Sequence, residues 1–239
     1  IRQLAFKKIG ERNFNDAVFN TWGASGLAAV WAEENTRDSI FDAFRRKETY
    51  ATSGSRIKLR FFGGYDLDAT MLEKEDLIKE AYRKGVPMGQ DLAPSEGKAP
   101  SFLIWAMRDK NAAPLQRVQI IKGWVEQTTG RPFEEVIDVA CSDGLTPDPL
   151  TNRCPDNGAL VDISDCSISS DRGTNEIKTV WTDESFDSAV KSFYYVRVLE
   201  NPSCRWSTWD AVKNGTKPRE DLKLTIQERA WSSPIWYSY

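Results

Sequence analysis

Histidine is absent from all 239 residues. Ser-His-Asp triads, Cys-His dyads, HExxH zinc sites and imidazole proton shuttles are therefore impossible within the chain. Catalysis here would rest on carboxylates, Lys, Tyr, Ser or Cys, or on a metal held by oxygen ligands alone. Charge of one sign is also scarce: 32 Lys and Arg stand against 35 Asp and Glu, a net charge of −3. No global basic field exists to hold nucleic acid or an anionic membrane. No apolar run approaches the roughly 18 residues that span a bilayer. The chain opens at Ile1 with neither an initiator Met nor a signal peptide. It therefore reads as a mature product, a cleaved fragment or an excised piece, with missing chemistry expected upstream.

Cysteines are few, and all stand in the second half at Cys141, Cys154, Cys166 and Cys204. No CxxC pair exists and no histidine can complete a zinc set, although a widely spaced all-cysteine site stays formally open. Residues 142–153 are too rich in Pro, Gly and Asp for a helix or central strand, and such a segment gains most from a covalent tie. Closing a loop of about 14 residues stabilises by about 3 kcal/mol, and one of about 39 residues by about 4 kcal/mol, in the chain-entropy account. Four cysteines allow three pairings; Cys141–Cys154 with Cys166–Cys204 is the pairing expected here. Disulfides place the protein in an oxidising compartment, periplasmic or extracellular.

What is present has a readable order. The run 27–32, after glycines, reads as a short buried strand or a loop against a core. Thr36 is placed to N-cap a helix, with Asp38 in its first turn, Ile40, Phe41, Ala43 and Phe44 at helical spacing and Arg45, Arg46 and Lys47 at its end. Residues 49–52 are β-prone. In 56–62, Ile57, Leu59 and Phe61 alternate with Lys58 and Arg60, the pattern of a strand with one wet face. Thr70 and Glu73 have capping-box spacing ahead of an apolar face of Leu77, Ile78, Ala81 and Tyr82, which Gly85 ends. Strands are predicted at 102–107, 118–125, 177–181 and 193–199, and the 109–114 link between the first two reads as a hairpin turn. Short strands with turn signals between them point to a sandwich or curved sheet. The chain thus divides near residue 66 into an α/β piece and a β-rich, disulfide-bearing module with one helix, an α+β chain overall.

Six stretches carry a family likeness: GLAAVWAEENTRDSI (26–40), KETYATSGSRI (47–57), GVPMGQDL (85–92), RVQIIKGW (117–124), FYYVRVLENP (193–202) and IQERAWSSPIWY (226–237). Together they resemble the C-terminal portion of a large, mostly bacterial family of exported proteins bearing a domain of unknown function. That family is similar to the PHP (polymerase and histidinol phosphatase) metal-dependent hydrolases. The resemblance implies that residues 1–66 are closing elements of a PHP-like (β/α) barrel and that 67–239 form an appended sandwich-like module. It also implies an ester or phosphoester hydrolase whose divalent metal (Zn, Mn or Mg) is held by histidines and carboxylates upstream. No stretch here matches those ligands, so the fragment carries no metal or cofactor and is expected to be inactive alone. Its partner is then the N-terminal part of the same protein; a second copy of the chain is the other partner left open. The alternative is a non-catalytic extracellular module that binds carbohydrate or serves structure.

Glu33 and Glu34, just ahead of the capped helix, are the carboxylates best placed for acid/base work or metal support; the plainer reading is a stabilised helix end and a solvated neighbour. Arg37 and Arg56 offer bidentate anion recognition or ordinary surface pairing. Trp206, Trp209, Trp231 and Trp236 offer a sugar-stacking platform, with core packing the favoured alternative. Asp143, Asp148, Asp156 and Asp165 have the oxygens for calcium but not the EF-hand spacing, and turn formation accounts for them. Asn214-Gly-Thr216 matches a glycosylation acceptor by pattern.

Overall fold

The computed structural model describes residues 6–9, 11–15 and 22–238. Strands β1 (Phe6–Ile9) and β2 (Arg12–Asn15) form an antiparallel hairpin. Most of the remaining strands build two facing sheets. The larger has the order β10 (Pro132–Cys141), β9 (Leu115–Val125), β12 (Ser192–Glu200), β15 (Arg229–Ser232), β4 (Thr49–Thr52), β3 (Leu27–Val30). Strand β16 (Ile235–Tyr237) extends the pairing along the start of β12, and β7 (Asp91–Leu92) joins β16 in parallel. The smaller sheet runs β11 (Glu176–Thr182), β8 (Ser101–Met107), β5 (Lys58–Gly64), β6 (Gly85–Pro87).

The alternation of β5 explains why the sheets stack. Ile57, Leu59 and Phe61 point into a common core with Phe102 and Ile104 of β8 and with Val118, Ile120, Tyr194, Val196 and Val198 of the large sheet. Phe102 sits centrally, its ring centroid 5.6 Å from Phe61, 4.4 Å from Tyr194 and 6.1 Å from Trp181. The other face of β5 is not the wet one expected. Helix α2 (Leu77–Lys84) covers it, packing Leu77 and Ala81 with Leu67 and Met71 against Phe62 and Leu103. Layers thus run large sheet, small sheet, helix.

Helix α1 (Arg37–Arg45) starts as expected, the Thr36 hydroxyl accepting from Ser39 N at 3.3 Å. The Thr70–Glu73 capping box does not form. Asp68 takes that role instead, accepting from Thr70 N at 2.8 Å and capping a single 3-10 turn, so α2 begins only at Leu77. Asp68 also accepts from the Thr70 hydroxyl, so Thr70 is held as a donor to Asp68 rather than as a cap for Glu73 N. The 109–114 link is no hairpin either: β8 pairs with β5 and β11, β9 with β10 and β12, and the link crosses from one sheet to the other.

Among the described residues no closed barrel exists. The β-rich, antiparallel, disulfide-bearing character is as expected, but the segment before residue 66 does not close a barrel. Its strands β3 and β4 extend the large sheet through β15, and β5 pairs with β8, so both sheets mix strands from either side of that position. Amphipathic strands with one apolar side each are satisfied by this mutual stacking.

Two disulfides secure the irregular stretch after β10. Cys141 bonds Cys154, and Cys166 bonds Cys204 of β13 (Ser203–Cys204). Strand β13 pairs with β14 (Thr225–Ile226), and α3 (Trp206–Lys213) lies between them in sequence. Inside the stretch, Asn157 links Gln116, Asp143 and Asn201 by hydrogen bonds of 2.9–3.0 Å. No helix among the described residues is long and apolar enough to cross a membrane.

Candidate functional site

Where β3, α1, β5 and α2 meet, a cleft of about 440 Å³ opens, lined by Trp31, Ala32, Glu33, Arg46, Glu48, Arg60 and Tyr82. Local sequence puts each residue there. Lys47, at φ 58, turns the chain sharply after α1, and Glu48 follows immediately before β4. Arg60 occupies an outward position of β5, and Tyr82 projects from α2, which covers that strand's outer face.

Glu48 is the hub, only 4% exposed despite its charge. Its carboxylate accepts from the Tyr82 hydroxyl, and Arg60 Nη1 lies 3.4 Å and Arg46 Nη2 3.7 Å away. Arg60 also donates to Tyr82 Oη at 2.8 Å, and its guanidinium carbon sits 3.5 Å from the Trp31 ring centroid. Trp31 in turn is pinned by Nε1–H donating to Leu59 O at 2.8 Å. A buried carboxylate is tolerable only with such pairing, and stacking on indole fixes the guanidinium plane.

Burial, then the hydrogen bond to Glu48, pushes the Tyr82 phenol up to about 12. Tyr82 is therefore a hydrogen-bond donor and not a base at any physiological pH. The cleft presents one oriented planar cation, a second, more exposed cation at Arg46 and two aromatic walls. That is equipment for binding and orienting a group, with no nucleophile–base pair in it.

Of the residues expected from sequence, Glu33 lines this cleft and is exposed, while Glu34 and Arg37 are exposed and are not among its lining residues. The Glu34 backbone N–H donates to Ser39 Oγ at 3.1 Å. Arg56 is exposed, its backbone N–H donating to Asp109 at 3.0 Å. Trp206 and Trp209 stand on α3, each 40% exposed, and so are not packed core strands. Asp148, Asp156 and Asp165 each accept from backbone N–H groups two residues on, the turn-forming role, and Asp143 accepts from Gly173 N. Glu48, Arg60, Trp31, Arg46 and Tyr82 were not singled out from sequence. The available signal was that Trp31 and Glu48 lie inside family-like stretches.

A second cavity of about 330 Å³ is lined by Lys122, Trp124, Glu135 and Ser185, among others. Lys122 is committed to Asp183 at 2.6 Å, which marks that polar floor as structural.

The divalent metal implied by the resemblance was tested against the residues present. Among the described residues no three His, Cys, Asp or Glu side chains are grouped to hold one, and the four cysteines are spent in disulfides. The described residues do not fit a transition-metal centre. No curated protein and no solved structure matches the chain. A family model described as "protein of unknown function (DUF3604)" matches residues 3–239, and the chain belongs to that family.

Proposed function

We propose that this chain is the non-catalytic C-terminal part of an exported metal-dependent hydrolase of ester or phosphoester bonds, and that the Glu48–Arg60 cleft orients an anionic group of its substrate. The supporting observation is convergence: Trp31 and Glu33 from one family-like stretch and Glu48 from the next come together around one fixed guanidinium. Arginine held over indole, with its hydrogen bonds to Glu48 and Tyr82 both made by Nη1, is suited to carboxylate or phosphate recognition. The two disulfides support an oxidising compartment. Reaction chemistry is assigned to residues outside this chain, because it lacks histidine altogether.

The test is ester and phosphoester turnover by full-length protein with Mn²⁺ or Zn²⁺, beside the 239-residue chain alone. Expected are activity in the former, none in the latter, and a KM raised about tenfold by R60M with kcat little changed. Full-length protein with neither activity nor bound metal would overturn the reading.

A second reading rests on the exposed indoles of α3. Trp206 and Trp209, three residues apart on one face, offer a stacking surface for sugar rings. Quenching of tryptophan fluorescence by oligosaccharides, lost in W206A and W209A, would favour it over the first.

A further inference from the structure

At the end of the sandwich away from any site described above, three chain segments come together: the turn between β4 and β5, the 109–114 link, and the adjoining ends of β12 and β15. Glu200 N donates to Glu228 O at 2.9 Å, and Arg56 N in the turn donates to Asp109 at 3.0 Å. Glu200 is 1% exposed and its Oε1 has no hydrogen-bond partner. Glu228 Oε2 is likewise buried without a partner. Ser55, 9% exposed, places its hydroxyl beside the Glu200 carboxyl yet makes no well-formed hydrogen bond. Buried oxygens without a well-formed hydrogen bond are costly in a native interior, each by about 1–3 kcal/mol.

The nearby cation does not relieve them. Arg108 reaches Glu200 only through its field. Its donors go to the carbonyl oxygens of Asp109 (3.2 Å), Lys110 (3.3 Å) and Ala112 (2.9 Å) and to the Asn175 side chain (3.2 Å). Asp109 adds a third negative charge that is felt at Glu200. Two carboxylates and a hydroxyl, with orphaned oxygens and excess negative charge, form a hard, all-oxygen donor set.

We propose that Glu200, Glu228 and Ser55 bind a hard divalent cation of the calcium class, which ties the β4–β5 turn to the ends of β12 and β15. The site is independent of the Glu48 cleft.

The experiment is thermal unfolding of chelator-treated intact protein at pH 8, titrated with CaCl2 or MgCl2, with equilibrium dialysis for stoichiometry. Expected is one calcium per chain and a saturable rise in Tm of about 5–10 °C at a hundredfold excess over Kd. E200Q, nearly isosteric, should abolish the rise, and S55A should weaken calcium binding about tenfold while folding normally, so the readout survives if E200Q does not fold. An unmoved Tm at 10 mM of either salt, or an equal rise in E200Q and S55A, would overturn the proposal. So would a cation-insensitive wild type whose stability simply grows as pH falls from 8 to 6, because a shared proton would then satisfy the pair.

Discussion

Asp183 makes the sharpest case for reading energetics from this fold. Its carboxylate is 1% exposed and receives Lys122 Nζ at 2.6 Å, Tyr194 Oη at 2.7 Å, Ser185 N at 3.1 Å and Ser185 Oγ at 2.9 Å. Burial and the Asp183 charge together push the Tyr194 phenol far up, so that hydroxyl always donates. Removing the carboxylate strands an ammonium and a phenol in a low-dielectric interior, and D183A should cost about 3–5 kcal/mol. Removing the lysine leaves Asp183 its three neutral donors, so K122M should cost less, about 1–3 kcal/mol. Tm should fall by about 10 °C for D183A, at roughly 2–4 °C per kcal/mol in a chain of this size. Urea unfolding with disulfides intact gives the free energies, and K122M/D183A completes the cycle with a loss smaller than the sum of the two single losses. If K122M proved more damaging than D183A, or D183A cost under 1 kcal/mol, the assignment of Asp183 as the hub would be wrong.

Other outcomes follow from single features. Replacing both Cys141 and Cys154 by serine should lower stability by about 3 kcal/mol, and the same change at Cys166 and Cys204 by about 4, because the second closes the longer loop; equal losses in chemical unfolding would contradict the entropic account. Gly89 sits at φ +87 with an added Cβ only 2.2 Å from Lys47 O, so G89A should cost about 3 kcal/mol or more, read as a Tm drop, and a neutral result would mean the backbone there is not as described. In cation-free buffer, Glu200 binds a proton more tightly folded, near 7, than at its ordinary 4.5. Its share of stability is thus full below about pH 4.5 and is lost as pH climbs to 7; E200Q should flatten that segment of the stability–pH curve, and an unchanged slope would point to another group.

Much of the local structure was written in short-range pattern. The Thr36 cap, the apolar alternation of Ile57, Leu59 and Phe61, and the strand cores at 102–107 and 193–199 all depend on neighbours a few residues away, whereas four cysteines admit three pairings and the fold selects Cys141–Cys154 with Cys166–Cys204. The failures share a cause. Asp68 took both the Thr70 N–H and the Thr70 hydroxyl and became the cap itself, and the 109–114 link crossed between sheets because strand partners are chosen by which faces bury together. Strand β10 and helix α3 were missed because Glu134, Glu135 and Asp138, or four interspersed polar residues, break up the apolar period.

Sequence alone determined that no imidazole chemistry can occur here, that charge is near balance, and which short segments fold as helix or strand. Only the tertiary structure decided that an outward-facing Arg60 would stack on Trp31 and find Glu48 and Tyr82, and that Glu200, Glu228 and Ser55 would be buried together. The reason is range: caps and periodicities act over one turn or one pleat, whereas a buried charge acquires its partners from elements tens of residues apart, once burial has made leaving it unpaired too costly.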